Sequence, residues 1–171
     1  MKLRPLLEAD ARLSARLRIA ERPGPLRSLS ALLAHSGDSW FWGLGLALVW
    51  WQGAAEWKLW AVRVLGSIAA LAVLVLVIKL GVHRRRPEGE WGAIYRSTDP
   101  HSFPSGHAAR AALLAVLAAG WGPPWLAAVI LPWAPLVAVS RVAMGLHYLS
   151  DILAGGALGI LAGGLALLVL G

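Results

Sequence analysis

From residue 39 to residue 171 the sequence is a succession of apolar runs, interrupted by one sizeable polar segment at 81–105. A run of about 20 largely apolar residues matches the hydrocarbon thickness of a bilayer. Residues 59–80 meet that length clearly, with Arg63 near one end and Lys79 near the other. Residues 39–57 meet it marginally. The runs 106–120 and 124–140 are shorter and carry no charge apart from Arg110, and 146–170 form the last run. The pattern predicts an all-α integral-membrane helical bundle with about five transmembrane helices. Gly155, Gly159 and Gly163 recur every fourth residue, and such a smooth face lets a neighbouring helix approach closely. The Ala-rich stretch from Ala108 to Ala119 points the same way.

Composition agrees with lipid as the main solvent. Hydrophobic residues make up 58% of the chain and charged residues only 15%, against roughly 25% charged in soluble domains. Ten tryptophans fit the membrane interface, where an apolar ring and a polar N–H are both satisfied. The absence of cysteine excludes disulfides, thiolate metal sites and a Cys nucleophile. A net charge of +7 beside long apolar runs fits anionic headgroups better than nucleic acid.

Ahead of the runs, residues 3–22 read as an amphipathic helix. Leu3, Leu6, Leu7, Leu13, Leu17 and Ala20 recur at helical steps between basic residues. Such a helix can lie flat on a membrane, or it can pack on the bundle as a solvated helix. Residues 1–25 hold no uninterrupted apolar stretch of the signal-peptide kind, and Pro23-Gly24-Pro25 is expected to end the helix. The expected organisation is a membrane-surface helix over 1–25 and a transmembrane core over 26–171. In His35-Ser36-Gly37-Asp38, Ser36 or Asp38 is expected to cap the first spanning helix.

Three constellations carry chemistry. Lys79 and Arg86-Pro87 lie seven residues apart, so both cations can share one side of a helix end. Taken alone, the pair is better read as ordinary interfacial anchoring by Lys79 and the triple Arg. In Pro104-Ser105-Gly106-His107, Ser105 is a good N-cap. The helix start behind it offers free N–H groups and a positive dipole end to an anion. His107, in the first turn, can then donate a proton; a capped helix with an interfacial His is the plainer alternative. Ser140-Arg141 is followed by His147 and Asp151, which are four apart on one helical face. A carboxylate there can fix the tautomer of the imidazole and free its other nitrogen as nucleophile or base. The plainer alternative is a structural His–Asp pair. In an alternating topology all three constellations fall on one side of the membrane.

The set Lys79…Arg86-Pro87, Pro104-Ser105-Gly106-His107 and Ser140-Arg141…His147…Asp151 resembles the signature of the type-2 phosphatidic acid phosphatase superfamily, K-x6-R-P, P-S-G-H and S-R-x5-H-x3-D, with no departure at any motif position. The resemblance implies a cofactor-free and metal-free hydrolase of phosphomonoesters or pyrophosphates. Lys79, Arg86, Arg141 and backbone groups at Ser105 and Gly106 would bind phosphate. His147 would attack phosphorus, oriented by Asp151, and His107 would protonate the leaving group, leaving a phosphohistidine for water to hydrolyse. Phosphoryl transfer depends above all on positioning and charge neutralisation, which these cations supply.

The expected substrates are lipid phosphates or polyprenyl pyrophosphates: undecaprenyl pyrophosphate, phosphatidylglycerol phosphate, phosphatidylinositol phosphate or phosphatidic acid. Membrane lipids are the surroundings, a multi-pass place in the cell membrane is expected, and nucleic acid is not a partner. Trp91, Tyr95 and Arg96, in the loop 88–103, are candidates for headgroup contact, with interfacial anchoring as the alternative for Trp91. A binding or transport protein that never hydrolyses its lipid phosphate is the competing class. It has no need of a nucleophilic His147.

Overall fold

The computed structural model describes residues 3–89, 91 and 99–171. Seven α-helices occur among them: α1 (Leu3–Arg16), α2 (Pro25–Ser36), α3 (Ser39–Gln52), α4 (Ala55–Val82), α5 (Gly106–Trp121), α6 (Pro124–Ala143) and α7 (Leu149–Leu170). The bundle is built around α5, which packs against α4, α6 and α7. Its alanines are why. Ala108, Ala109, Ala111, Ala115 and Ala118 are all buried, so three neighbours can approach one helix. The tightest approach is to α7. A Cβ at Gly155 or Gly159 would run into the backbone oxygens of Ser105 and Ala109, and one at Gly163 would lie 2.7 Å from Val116 Cβ. The four-residue glycine repeat is therefore the seam between these two helices.

Three of the five expected spans are long and apolar enough to cross a bilayer: α4, α6 and α7. The other two are shorter. With 16 and 14 residues, α5 and α3 rise about 24 and 21 Å, less than a hydrocarbon layer of about 30 Å. The stretch 39–57 is not one helix. The chain breaks at Gly53, whose N–H closes the last turn of α3 on Val49 O at 2.8 Å, and α4 begins at Ala55. Val73, Val77, Leu161, Leu165 and Leu168 point outward and are each more than half exposed. An apolar belt of that extent needs lipid around it, and the chain is a membrane protein.

The N-terminal region differs from the expected single helix over 3–22. α1 stops at Arg16, and Pro25 opens a second helix in a first-turn position that needs no N–H. Pro23-Gly24-Pro25 separates two helices. On α1 the leucines Leu6, Leu7 and Leu13 face outward. Two polar residues face the bundle: Ser14 Oγ accepts from Leu149 N–H at 2.8 Å, and Asp10 Oδ1 accepts from Ser150 N–H at 3.1 Å.

Candidate active site

Backbone pairing gathers the three constellations at one end of the bundle. α4 ends at His83, whose left-handed backbone (φ 53) turns the chain. The next residues run back antiparallel to 101–102, with Ser102 N–H donating to Arg84 O at 2.8 Å and Arg85 bridging His101. That return carries Arg86 beneath the start of α7. Ser105 caps α5, accepting from Ala108 N–H at 3.4 Å. Its own N–H is taken by Asp151 O at 3.0 Å, which ties the start of α5 to the start of α7. Lys79, Arg86, Ser105, Arg141, His147 and Asp151 are all buried.

His147 is the centre of this end. Its side chain is 1% exposed, and Nε2 lies 3.1 Å from Arg86 Nη1. A guanidinium can only donate, so Nε2 is the acceptor and carries a lone pair, and the ring proton belongs on Nδ1. Nδ1 faces Asp151 Oδ2 at 3.6 Å, beyond hydrogen-bonding distance. Catalytic hydrogen bonds are commonly long before substrate arrives. Burial, then the positive charges of Arg86, Arg141 and Lys79, hold the imidazole well below its usual value near 6.5. The ring is neutral at neutral pH, with its lone pair on the nitrogen turned toward the cations.

A cavity of about 800 Å³ opens above His147, lined at its polar end by Lys79, Asp99, Gly106, His107 and His147. Along one wall Ile68, Leu71, Val75 and Leu76 of α4 continue it as an apolar slot. Lys79 pairs with the Asp99 carboxylate, and Arg86 Nη2 donates to the same Oδ2 at 2.7 Å. Burial opposes ionisation of Asp99, but the Lys79 hydrogen bond and the charges of Lys79 and Arg86 outweigh it and hold the carboxyl below the usual range. Asp99 thus places an anion between two of the cations assigned to phosphate. Arg141 is 1% exposed, and its charge acts on both His107 and His147.

Asp38 does not cap α3 with its side chain, as the sequence led us to expect. It reaches across to α5 instead. Asp38 Oδ1 lies 2.7 Å from His107 Nε2, and Oδ2 takes His35 Nδ1 at 3.0 Å and Trp40 Nε1–H at 3.3 Å. Burial works against this carboxylate, yet the hydrogen bonds from His107 and His35 hold it far below the usual range. One turn along α5, Arg110 donates to Gly37 O through Nε at 2.8 Å and through Nη2, and to Ser39 Oγ at 2.5 Å. Ser36, the other proposed cap, turns back to its own helix and donates to Leu33 O at 2.7 Å.

Behind His147 lies a second carboxylate network. Arg84 donates to Asp151 Oδ1 and Asp10 Oδ2, both at 2.7 Å, and to Ser150 Oγ at 2.6 Å, while its guanidinium lies 4.0 Å from the Tyr148 ring centre. Asp151 Oδ2 accepts from Tyr148 N–H at 2.9 Å.

Sequence reasoning missed Asp10, Arg84, Asp99 and Arg110. Arg110 was open to discovery, because a lone cation inside an apolar run needs an internal partner. Arg84 stands in the gap between Lys79 and Arg86, where nothing local marks it out. Of the headgroup candidates, Trp91 packs beside the cluster of Ala20, Met144 and Leu146, with Arg27 5.0 Å above its ring, and it does not line the cavity. Tyr95 and Arg96 lie outside the described residues.

Comparison with known proteins bears directly on this arrangement. The family model described as the PAP2 superfamily matches residues 60–171. The decaprenylphosphoryl-5-phosphoribose phosphatase of Mycobacterium tuberculosis is 37% identical over 153 residues, which cover 85% of this chain and 80% of that protein. Among solved structures, the transmembrane PAP2-type phosphatidylglycerolphosphate phosphatase of Bacillus subtilis superposes with a TM-score of 0.76 at 25% identity, covering 95% of this chain and 84% of the other. LpxE of Aquifex aeolicus shares the fold with a TM-score of 0.68 at 23% identity, covering 90% of this chain and 93% of the other. With the three motifs converging on one buried histidine, the chain belongs to the PAP2 superfamily and is a membrane phosphatase.

Proposed function

We propose that the protein removes the terminal phosphate of a membrane lipid through a covalent phosphohistidine on His147, without a metal ion. The observation that carries this reading is the orientation of His147, with Nε2 kept as an acceptor by Arg86 and Nδ1 directed at Asp151. A nucleophile needs its lone pair on that nitrogen, and a bound phosphoryl group taking the Arg86 N–H would release it for attack. The phosphoryl group would displace Asp99 and lie among Lys79, Arg86 and Arg141, with Gly106 at the helix start beside it. Nε2 attacks phosphorus and the ester P–O bond breaks. His107 gives its proton to the departing oxygen. Water then attacks phosphorus, returns a proton to His107 and breaks the P–N bond, releasing inorganic phosphate and neutral His147.

The apolar slot along α4 suits a lipid tail, with the phosphate at the polar end of the cavity. The mycobacterial relative, named for a polyprenyl-linked sugar phosphate, favours a polyprenyl phosphoryl substrate within this class, alongside undecaprenyl pyrophosphate, phosphatidylglycerol phosphate, phosphatidylinositol phosphate and phosphatidic acid. The test is phosphate release by purified protein in detergent with EDTA, on a panel of these lipids, beside the His147→Ala variant. Release that depends on His147 and persists in chelator supports the reading. Release retained by His147→Ala, or lost in EDTA, contradicts it.

A further inference from the structure

We propose that Asp38 is the positioning residue of the general acid. It fixes His107 in one tautomer and stabilises the imidazolium that protonates the leaving oxygen.

The support is geometric. The carboxylate meets His107 Nε2 at 2.7 Å, the distance of a charge-assisted hydrogen bond. An anionic carboxylate is an acceptor only, so Nε2 carries a proton and Nδ1 is left as the nitrogen that exchanges one. The logic is that of an acid–base imidazole held by a buried carboxylate on its far nitrogen. His147 and His107 are then each backed by an aspartate, Asp151 for one and Asp38 for the other, and no motif contains Asp38.

Its placement is built from several contacts. Arg110, three residues after His107 on the same helix, grips the carbonyl of Gly37 and the hydroxyl of Ser39, the two residues flanking Asp38. The buried guanidinium directs its Nε, Nη1 and Nη2 to this turn. It fixes the segment against α5 so that Asp38 meets the imidazole. Gly37 is required there, because a Cβ would lie 2.9 Å from Val137 Cγ1 and 3.3 Å from His107 Cδ2. The second carboxylate oxygen is held by His35 and Trp40, so the acid cannot rotate away. His35 is half exposed, which sets this cluster at the edge of the site where protons exchange with water.

The inference rests on the acid role given to His107 above, and leaving-group chemistry separates the two. A general acid matters for an alkyl phosphate, whose alkoxide leaves poorly, and hardly at all for 4-nitrophenyl phosphate, whose phenolate leaves without a proton. The experiment measures kcat/KM for dodecyl phosphate and 4-nitrophenyl phosphate in wild type, Asp38→Asn, His107→Gln and the double variant. Asp38→Asn should lose about 10- to 100-fold on dodecyl phosphate and less than about threefold on the aryl ester. His107→Gln should lose at least as much with the same selectivity, and the double variant should be no worse than His107→Gln. The ratio of the two esters cancels the fraction of active enzyme, so partial misfolding does not imitate the result. Asp38→Glu, which keeps a carboxylate, should recover part of the alkyl activity. Equal loss on both esters, or losses that multiply in the double variant, overturns the role of Asp38. If His107→Gln itself shows no selectivity between the esters, the acid assignment fails and takes Asp38 with it. Selectivity in His107→Gln with none in Asp38→Asn refutes Asp38 alone.

Discussion

Arg84 Nη1 donates to Asp151 Oδ1 at 2.7 Å, in a site where Asp151 is wholly buried. The carboxylate that faces the His147 imidazole is thus held by a cation from the segment joining Lys79 to Arg86. Asp10 of α1 holds the same guanidinium from the other side. The N-terminal helix therefore contributes to the catalytic end by a chain of charge, Asp10 to Arg84 to Asp151, and its leucines are left to face outward.

Removing that cation should be costly. Arg84→Ala strands a buried carboxylate, a loss of about 3–5 kcal/mol when one partner of a buried ion pair is deleted. Thermal unfolding in detergent should show a large fall in Tm for Arg84→Ala and a smaller fall for Asp10→Asn, since Asp10 lies nearer the surface. An unchanged Tm in Arg84→Ala would mean that Asp151 finds another partner.

Asp99 bonds both Lys79 and Arg86, so if these two cations bind phosphate as proposed, Asp99 competes with it. Asp99→Asn should tighten inhibition by inorganic phosphate by up to about fivefold, the equivalent of about 1 kcal/mol for a partly exposed ion pair. Steady-state inhibition constants check this. Weaker inhibition in the variant would show that Asp99 organises the cations and does not occupy their place.

Gly159 lies in the seam between α5 and α7, where its backbone meets the carbonyl of Ala109. Gly159→Ala pushes the helices apart and should cost about 1–3 kcal/mol as overpacking. Gly164, with nothing within 4 Å of an added Cβ, is the control, and Gly164→Ala should leave stability unchanged or slightly raised. Paired melting curves decide it.

The depressed His147 makes a pH prediction with a definite sign. Unfolded, its imidazole takes a proton near 6.5; folded, burial and the charges of Arg86, Arg141 and Lys79 prevent this, with Asp99 and Asp151 opposing. The unfolded state binds more protons, so this stability is present above about pH 6.5 and declines as pH falls below it. The carboxylates Asp38 and Asp99, depressed from 3.8, act only at more acid pH. Between pH 6.5 and 5 the stability of wild type should fall more steeply than that of His147→Gln, by up to about 1.4 kcal/mol per pH unit. Equal slopes would place the proton on His147 in the folded protein.

How legible all this was in the sequence depended on whether a signal was local. Lys79, Arg86, Ser105, His107, Arg141, His147 and Asp151 stand at fixed spacings, and the fold brings them to one end. The glycine repeat was legible because 155, 159 and 163 share a helical face. A hydropathy window averaged over 39–57 passed across the break at Gly53, although Gln52, Gly53 and Glu56 interrupt the apolar run there. Hydropathy also could not show that α5 is enclosed by its neighbours, which leaves a short helix workable. Asp38 and Asp10 lie 69 and 74 residues from His107 and Arg84. A lone aspartate before a helix looks like a cap, and only tertiary contact reveals a different use.

The most direct test is to quench a single turnover and look for phosphate on the protein. With a lipid whose terminal phosphate is labelled, wild type should carry label that is stable to base and labile to acid, on the peptide containing His147 and on its Nε2. The label should disappear in His147→Ala and accumulate when water attack is slowed. Phosphate released at the normal rate with no labelled protein at any time, or label on another residue, would contradict the covalent role of His147.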